Sequence, residues 1–142
     1  MTGFTVSSER AAMDVATIHR YLSEVSYWAR GVAYDKVVKS LDQSLCFGGF
    51  VDGRQVAFAR VVTDRTTFAY LCDVFVLDAH QGKGYSKALM GAVMAHEDLQ
   101  DLRRFYLATL DAHSLYAQFG FASPAHPERI MEISTQVIAE RS

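Results

Sequence analysis

Proline is nearly missing from this chain. Only two occur in 142 residues, Pro124 and Pro127, so upstream of them no ring blocks a helix or a strand ladder. The segment that holds both, after Phe121, reads as a loop. Cysteine is as scarce. Cys46 and Cys72 are the only two; they sit inside apolar runs, make no C-x-x-C pair and fit no zinc pattern. They read as buried reduced thiols. Excess charge is lacking too: 14 basic against 16 acidic residues leave a net charge of −2. Nothing in that balance points to nucleic acid, and no block of like charge suggests a tail. No apolar run is long enough to cross a bilayer, and no N-terminal signal segment is legible. A cytoplasmic protein is expected, with neither nucleic acid nor membrane as a partner. Repeats, low-complexity tracts and linkers are absent. With half of its 142 residues apolar, the chain reads as one domain, 1–142, large enough to bury a core.

The hydrophobic pattern gives an order of elements. Residues 4–8 alternate as a first strand. Val15, Ile18, Leu22 and Val25 recur at helical spacing, which predicts an amphipathic helix over 11–25. Residues 26–31 interrupt the period. Tyr34, Val37, Val38, Leu41 and Leu45 mark a second helix. Residues 46–51 and 55–62 read as strands joined by Asp52-Gly53, a strong hairpin signal. A turn at 63–66 leads into a strand over 68–77. A helix is predicted over 84–96, a strand over 104–110, a short helix over 112–119 and a last strand over 130–134. This is α+β in the mixed-sheet sense rather than a repeated βαβ pattern. The crossover from 68–77 to 104–110 is its parallel step, and ligands favour such strand ends.

The join between strand 68–77 and the helix after it is the most informative stretch. Gln81-Gly82-Lys83-Gly84-Tyr85-Ser86-Lys87 is short, basic and rich in glycine. Gly82 and Gly84 let the backbone turn tightly and approach a ligand closely. The amides of Gly84, Tyr85, Ser86 and Lys87 would be the free donors of a helix's first turn, at the positive end of its dipole. Lys83 and Lys87 add formal charge. The chemistry is that of a phosphate or pyrophosphate site. The dinucleotide fingerprint needs a third glycine, and the nucleotide P-loop pattern is absent.

What does fit is Gln81-x-x-Gly84-x-Ser86, which resembles the Q/R-x-x-G-x-G/A acetyl-CoA loop of the GNAT N-acetyltransferase superfamily. Ser86 stands where that family usually has Gly or Ala. A second segment, Asp111 to Phe121, resembles the family's closing motif, a short helix ending in Leu115-Tyr116-x-x-x-Gly120-Phe121. Gly120 sits where a left-handed residue would stop the helix. The resemblance implies a GNAT fold: a mostly antiparallel twisted sheet flanked by helices, with a splayed central parallel pair. It implies acetyl-CoA as the acyl donor, held by the loop. It also implies that the pantetheine arm bonds the exposed strand edge at Val74, Phe75 and Val76, with Val76 N–H or a near neighbour polarising the thioester carbonyl.

Tyr116 matches the family's tyrosine four residues before the Gly-Phe pair. A phenol, with an ordinary pKa near ~10, can hand a proton to a departing thiolate; the other reading is a tyrosine packed in the core. Asp73 lies on the cofactor strand and, by alternation, on one face with Leu71 and Phe75. A carboxylate there is costly unless paired, so it is a candidate base or substrate anchor. Its rival role is a structural ion pair with Arg60, itself an oddity among Val56, Phe58 and Val62 and, with Tyr27, Trp28 and Arg30, a candidate substrate-binding residue. His113 could relay protons, though a helix surface or cap role comes first. The base need not exist as one side chain. The Asn that often contacts the cofactor arm in this family is missing here, and Asp111 in that neighbourhood is a good helix N-cap. Tyr21, Tyr27, Trp28 and Arg30 fall in the region that in GNAT folds covers the acceptor side. An aromatic cluster beside an arginine suits an apolar or carboxylate-bearing amine; ordinary packing is the alternative. No His/Cys/carboxylate cluster has ligand spacing, so no metal is expected.

Acetyl-CoA-dependent N-acetylation of a small-molecule amine is therefore the expected function; a homodimer is one assembly open to it, and the sequence does not name the oligomer. Rivals to that function are an acyl-CoA sensor without turnover and an acetyltransferase for a protein N-terminus or lysine.

Overall fold

The computed structural model describes residues 3–135. Five strands form one sheet in sequence order: β1 (Phe4–Ser7), β2 (Leu45–Val51), β3 (Arg54–Thr63), β4 (Phe68–Val76) and β5 (Arg104–Leu107). Neighbours are antiparallel except β4 and β5, which run parallel. The helices are α1 (Val15–Arg20), α2 (Tyr34–Asp42), α3 (Tyr85–Ala95) and α4 (His113–Ala117). None of the described helices is long and apolar enough to cross a membrane.

The sheet separates two cores. On one face Leu45, Phe47, Ala59, Val61, Ala69 and Leu71 meet Leu89, Met90 and Val93 of α3 and Tyr116 of α4. On the other, Cys46, Phe58 and Phe75 meet Ile18 of α1, Leu22, and Val37 and Leu41 of α2. A fully buried apolar side chain contributes about 1.5–3 kcal/mol, so these two layers set the stability. They also fix the sheet between the helices, which is what holds the strand ends in place.

Local chemistry decides the turns. Asp52 and Gly53 adopt φ of 51° and 77°, the left-handed pair that a two-residue hairpin requires. The β3–β4 turn is organised by Asp64. Its carboxylate accepts from the backbone N–H groups of Thr66, Thr67 and Phe68 at 3.0, 2.8 and 3.1 Å, and from the Thr67 hydroxyl at 2.6 Å. The Thr67 hydroxyl first, then those amides, hold the Asp64 carboxyl well below its ordinary value of 3.8. A depressed folded-state value stabilises the fold above the ordinary one, and the contribution is lost as pH falls through and below it. Acid unfolding followed by circular dichroism is therefore expected to be steeper below about pH 4 for the wild type than for Asp64→Asn.

Several boundaries differ from the sequence reading, each for a physical reason. The helix predicted over 11–25 is three pieces. Asp14 caps α1 by accepting from Thr17 N at 3.2 Å and Thr17 Oγ1 at 2.8 Å. After Arg20 the chain widens to a π turn over Tyr21–Val25, closed by Ser26 N to Tyr21 O at 2.9 Å. The strand predicted to reach 110 ends at Leu107. The segment 130–134 joins no strand of the sheet. Its Met131 and Ile133 side chains are almost wholly exposed. Alternation made it look like a strand, but alternation cannot supply a partner edge. Asp111 is not the cap of the last helix, which begins after Ala112 without a side-chain cap.

Candidate active site

One irregularity in β4 shapes the strand edge beside the cavity. Arg60 stands opposite Cys72 and Phe58 opposite Phe75. Two residues, Asp73 and Val74, therefore oppose Ala59 alone, which is a β-bulge. Asp73 takes the left-handed conformation, φ 53°, uncommon for a non-glycine residue but best tolerated by Asp and Asn. The bulge breaks the alternation that would put Leu71, Asp73 and Phe75 on one face. Leu71 packs in the α3 layer, whereas Phe75 packs against the helices on the opposite side, stacked on Tyr21 with ring centroids 4.1 Å apart.

The bulge also sets which amides face outward. Leu77 N–H donates to Val56 O at 2.8 Å, so Phe75, two residues earlier, also turns its backbone to β3. Val74 and Val76 between them turn away. On that side β4 pairs with β5 only from Phe68 to Leu71. Past that point the two strands part, and the Val74 and Val76 N–H groups face the gap. Of the three edge residues named from the sequence, Val74 and Val76 present backbone there, and Phe75 does not. Val76 O is occupied by Gln81 Nε2 at 3.0 Å. That amide also reaches Asp78 Oδ1 at 3.2 Å, so the Gln81 side chain ties the loop to the strand.

The loop then turns on two left-handed glycines, Gly82 at φ 78° and Gly84 at φ 81°. Gly84 is the N-cap of α3 and makes no side-chain cap bond. The first bond of the helix runs from Ala88 N to Gly84 O at 3.1 Å, so the amides of Tyr85, Ser86 and Lys87 have no intrahelical acceptor. Gly82, Gly84, Tyr85, Ser86 and Lys87 line a cavity of about 240 Å³. It continues to Val76 at the strand edge and to Leu115 of α4. Lys83 belongs to the same loop and is exposed. His80, which the sequence reading passed over, borders the cavity as well. Its Nδ1 is buried and has no hydrogen-bond partner among the described residues. Its only sequence signal was its place directly before Gln81.

Leu115 is followed by Tyr116, which is buried to 8% exposure. A Schellman motif fixes the end of its helix: Gly120 N bonds Ala117 O at 3.1 Å and Phe121 N bonds Tyr116 O at 3.3 Å. Gly120 takes φ 95° for this purpose. Burial pushes the Tyr116 hydroxyl above its ordinary value, and Tyr27 and Asp111 add to the shift. Tyr27 thus lies within electrostatic reach of Tyr116. His113 lies exposed at the start of that helix.

Tyr27 packs edge-to-face on Trp28 at 5.1 Å, and neither these two nor Arg30 lines the cavity. Trp28 Nε1 donates to Asp73 Oδ1 at 2.8 Å, and Arg60 Nε donates to Asp73 Oδ2 at 2.9 Å. Arg60 Nη1 also donates to Ser44 Oγ at 3.1 Å. Both oxygens of Asp73 are therefore engaged, and the ion pair with Arg60 is mostly shielded, with 19% and 12% of the two side chains exposed. Ser44 completes this cluster; it carried no motif of its own. Arg30 is exposed and makes no ion pair among the described residues. Cys46 and Cys72 stand on either side of Arg60 in the sheet register. Burial pushes their thiols up to about 11 and about 12.

Comparison with known proteins identifies the family and the fold. The model of the acetyltransferase (GNAT) family matches residues 13–121. A crystal structure from Xanthomonas campestris pv. campestris, assigned to the GNAT family, is 58% identical, covers 95% of each chain and superposes with a TM-score of 0.93. A Gibberella zeae protein that carries the name of an acetyltransferase is 30% identical over 137 residues, covering 81% of this chain and 76% of its own length. A Clostridium acetobutylicum structure solved with acetyl-CoA shares the fold, with a TM-score of 0.67 over 94% of this chain and 96% of its own, at 10% identity.

Proposed function

This chain belongs to the GNAT acetyltransferase family, and from that premise we propose that it transfers the acetyl group of acetyl-CoA directly to a primary amine of a small molecule in the cytoplasm. One observation carries the reading. Unpaired first-turn amides and two left-handed glycines border a cavity that runs on to the open β4 edge and to α4. Those groups fit a diphosphate ester with an amide-bearing arm: helix-terminal N–H groups favour the anion, and a strand edge favours the arm. Acetyl-CoA supplies an activated acetyl group as a thioester.

The chain's residues would divide the work as follows. Loop amides from Gly82 to Lys87, with Lys83 and Lys87, hold the diphosphate. Val74 and Val76 bond the arm, and a Val76 N–H aimed at the thioester oxygen polarises the carbonyl. Tyr27, Trp28 and Arg30 line the acceptor side and bring the neutral amine nitrogen to the carbonyl carbon. A C–N bond forms there as the C–S bond breaks. Tyr116, held neutral by its burial, gives its proton to the sulfur and regains one from solvent. The amine's surplus proton leaves through water, since both oxygens of Asp73 already accept hydrogen bonds.

That engaged carboxylate also favours a second reading, a module that binds acyl-CoA without turnover. Two measurements separate them. Isothermal calorimetry is expected to give a heat of coenzyme A binding. Acetyl-CoA offered with a panel of aliphatic and aromatic primary amines is expected to yield acetylated product by mass spectrometry. Binding without product from any amine selects the sensor, and product from peptide amines alone selects a protein substrate.

A further inference from the structure

Asp73 links β4 to the connection that carries Tyr27 and Trp28. Its backbone forms the bulge in β4; its carboxylate reaches the acceptor side through Trp28 Nε1 at 2.8 Å and is braced by Arg60 at 2.9 Å, itself held by Ser44 at 3.1 Å. Alternation carried straight through Asp73 would turn every later residue of β4 to the opposite side, and Val74 and Val76 would lose the gap. The same residue anchors the connection that carries Tyr27 and Trp28. The rest of the segment is held by Ala29 N to Ser26 Oγ at 3.1 Å, Gly31 N to Ser23 O at 2.9 Å and Val32 N to Ala29 O at 3.0 Å, and by packing of Trp28, Ala29 and Val32 on the core beside Phe75.

We propose that Asp73 is the pivot that couples the acetyl-CoA edge to the acceptor wall, its left-handed backbone opening the strand and its carboxylate, braced by Arg60, holding Trp28 over the amine site. Trp28 and Arg60 are then positioning residues that act through Asp73, and occupancy of one wall orders the other. The coupling is reciprocal: whatever coenzyme A gives to the order of the wall, a bound amine returns in coenzyme A affinity. The inference rests on the acetyltransferase reading and adds to it how the two substrates sense each other.

Trp28 is the only tryptophan, so its emission reports on the wall directly. Coenzyme A titrated into the wild type is expected to change that emission, with the same midpoint that calorimetry gives. Asp73→Gly keeps the left-handed backbone and removes the anchor. It is expected to bind coenzyme A within about threefold of wild type because glycine adopts positive φ freely, while the emission response is lost. Asp73→Ala loses both features and is expected to bind about tenfold more weakly, since L-residues disfavour that backbone. An undiminished emission response in Asp73→Gly overturns the proposal. Wild-type heat of binding without any emission change overturns it too. Absence of heat in the wild type removes the acetyltransferase reading, and the proposal with it.

Should Asp73→Gly not fold, two other variants decide. Trp28→Phe is expected to raise the KM of the best panel amine about tenfold, the scale of one lost hydrogen bond to a charged group, with kcat less affected. An unchanged KM overturns the coupling. Asp73→Asn keeps one acceptor oxygen and tolerance of positive φ but loses the ion pair with Arg60, so the KM of the amine is expected to rise while kcat falls by less than about tenfold, against the 10²–10⁴-fold of a lost general base. A loss of that larger size at unchanged KM makes Asp73 the base and overturns the pivot.

Discussion

Gly84→Val is expected to weaken coenzyme A binding by roughly 100-fold, on the scale of one or two lost charge-assisted hydrogen bonds. Gly84 sits at φ 81° as the N-cap of α3. An L-residue there costs roughly 1–2 kcal/mol, and a β-branched one is the worst choice. The loop has two ways to respond, and both remove donors. If the backbone holds, valine's methyl groups stand where main chain should meet phosphate. If it relaxes, the Tyr85, Ser86 and Lys87 amides no longer converge. Gly84 is exposed, outside both cores, so the variant is expected to remain folded. Calorimetry with coenzyme A, beside circular dichroism for the fold, is the measurement. Wild-type affinity in a folded Gly84→Val protein would remove the diphosphate from this loop.

Tyr116→Phe is expected to lower kcat by about 10²–10³-fold while coenzyme A affinity stays within about twofold, because a general acid typically contributes 10²–10⁴-fold. The substitution removes only an oxygen from a ring that packs near Phe121, at 6.2 Å between centroids, so the core is kept. The pH profile gives a second check. The acid must be protonated, and burial raises its pKa above the ordinary 10.0. The alkaline limb of kcat due to Tyr116 should therefore lie above pH 10.0, not below it. A variant as fast as wild type would leave Tyr116 as packing.

Much of this site could be read before any coordinates, because its chemistry lies in contiguous residues. Gln81 to Lys87 and Leu115 to Phe121 each encode their own turn: a left-handed glycine, a helix start or stop, a small residue where backbone must come close. Asp52-Gly53 encodes its hairpin in the same local way. What was not legible depended on counting across strands. The bulge at Asp73 inserts one residue against Ala59, and no local pattern announces it. Straight alternation therefore placed Asp73 with Leu71 and Phe75. Asp73 and Arg60 were paired on chemical grounds, as two costly charges in apolar strands, whereas Trp28 as the third member is a contact across 45 positions. The 130–134 segment shows the opposite error, since a strand-like pattern needs a neighbouring edge that sequence alone does not supply.

The high pKa values of the two cysteines have a practical outcome at the bench. Colour reagents that react with free sulfhydryls consume the ionised form, and at neutral pH neither Cys46 nor Cys72, raised to about 11 and about 12, offers much of it. Coenzyme A released during turnover can thus be followed continuously with such a dye, with little background from the native enzyme and no need to engineer its cysteines away.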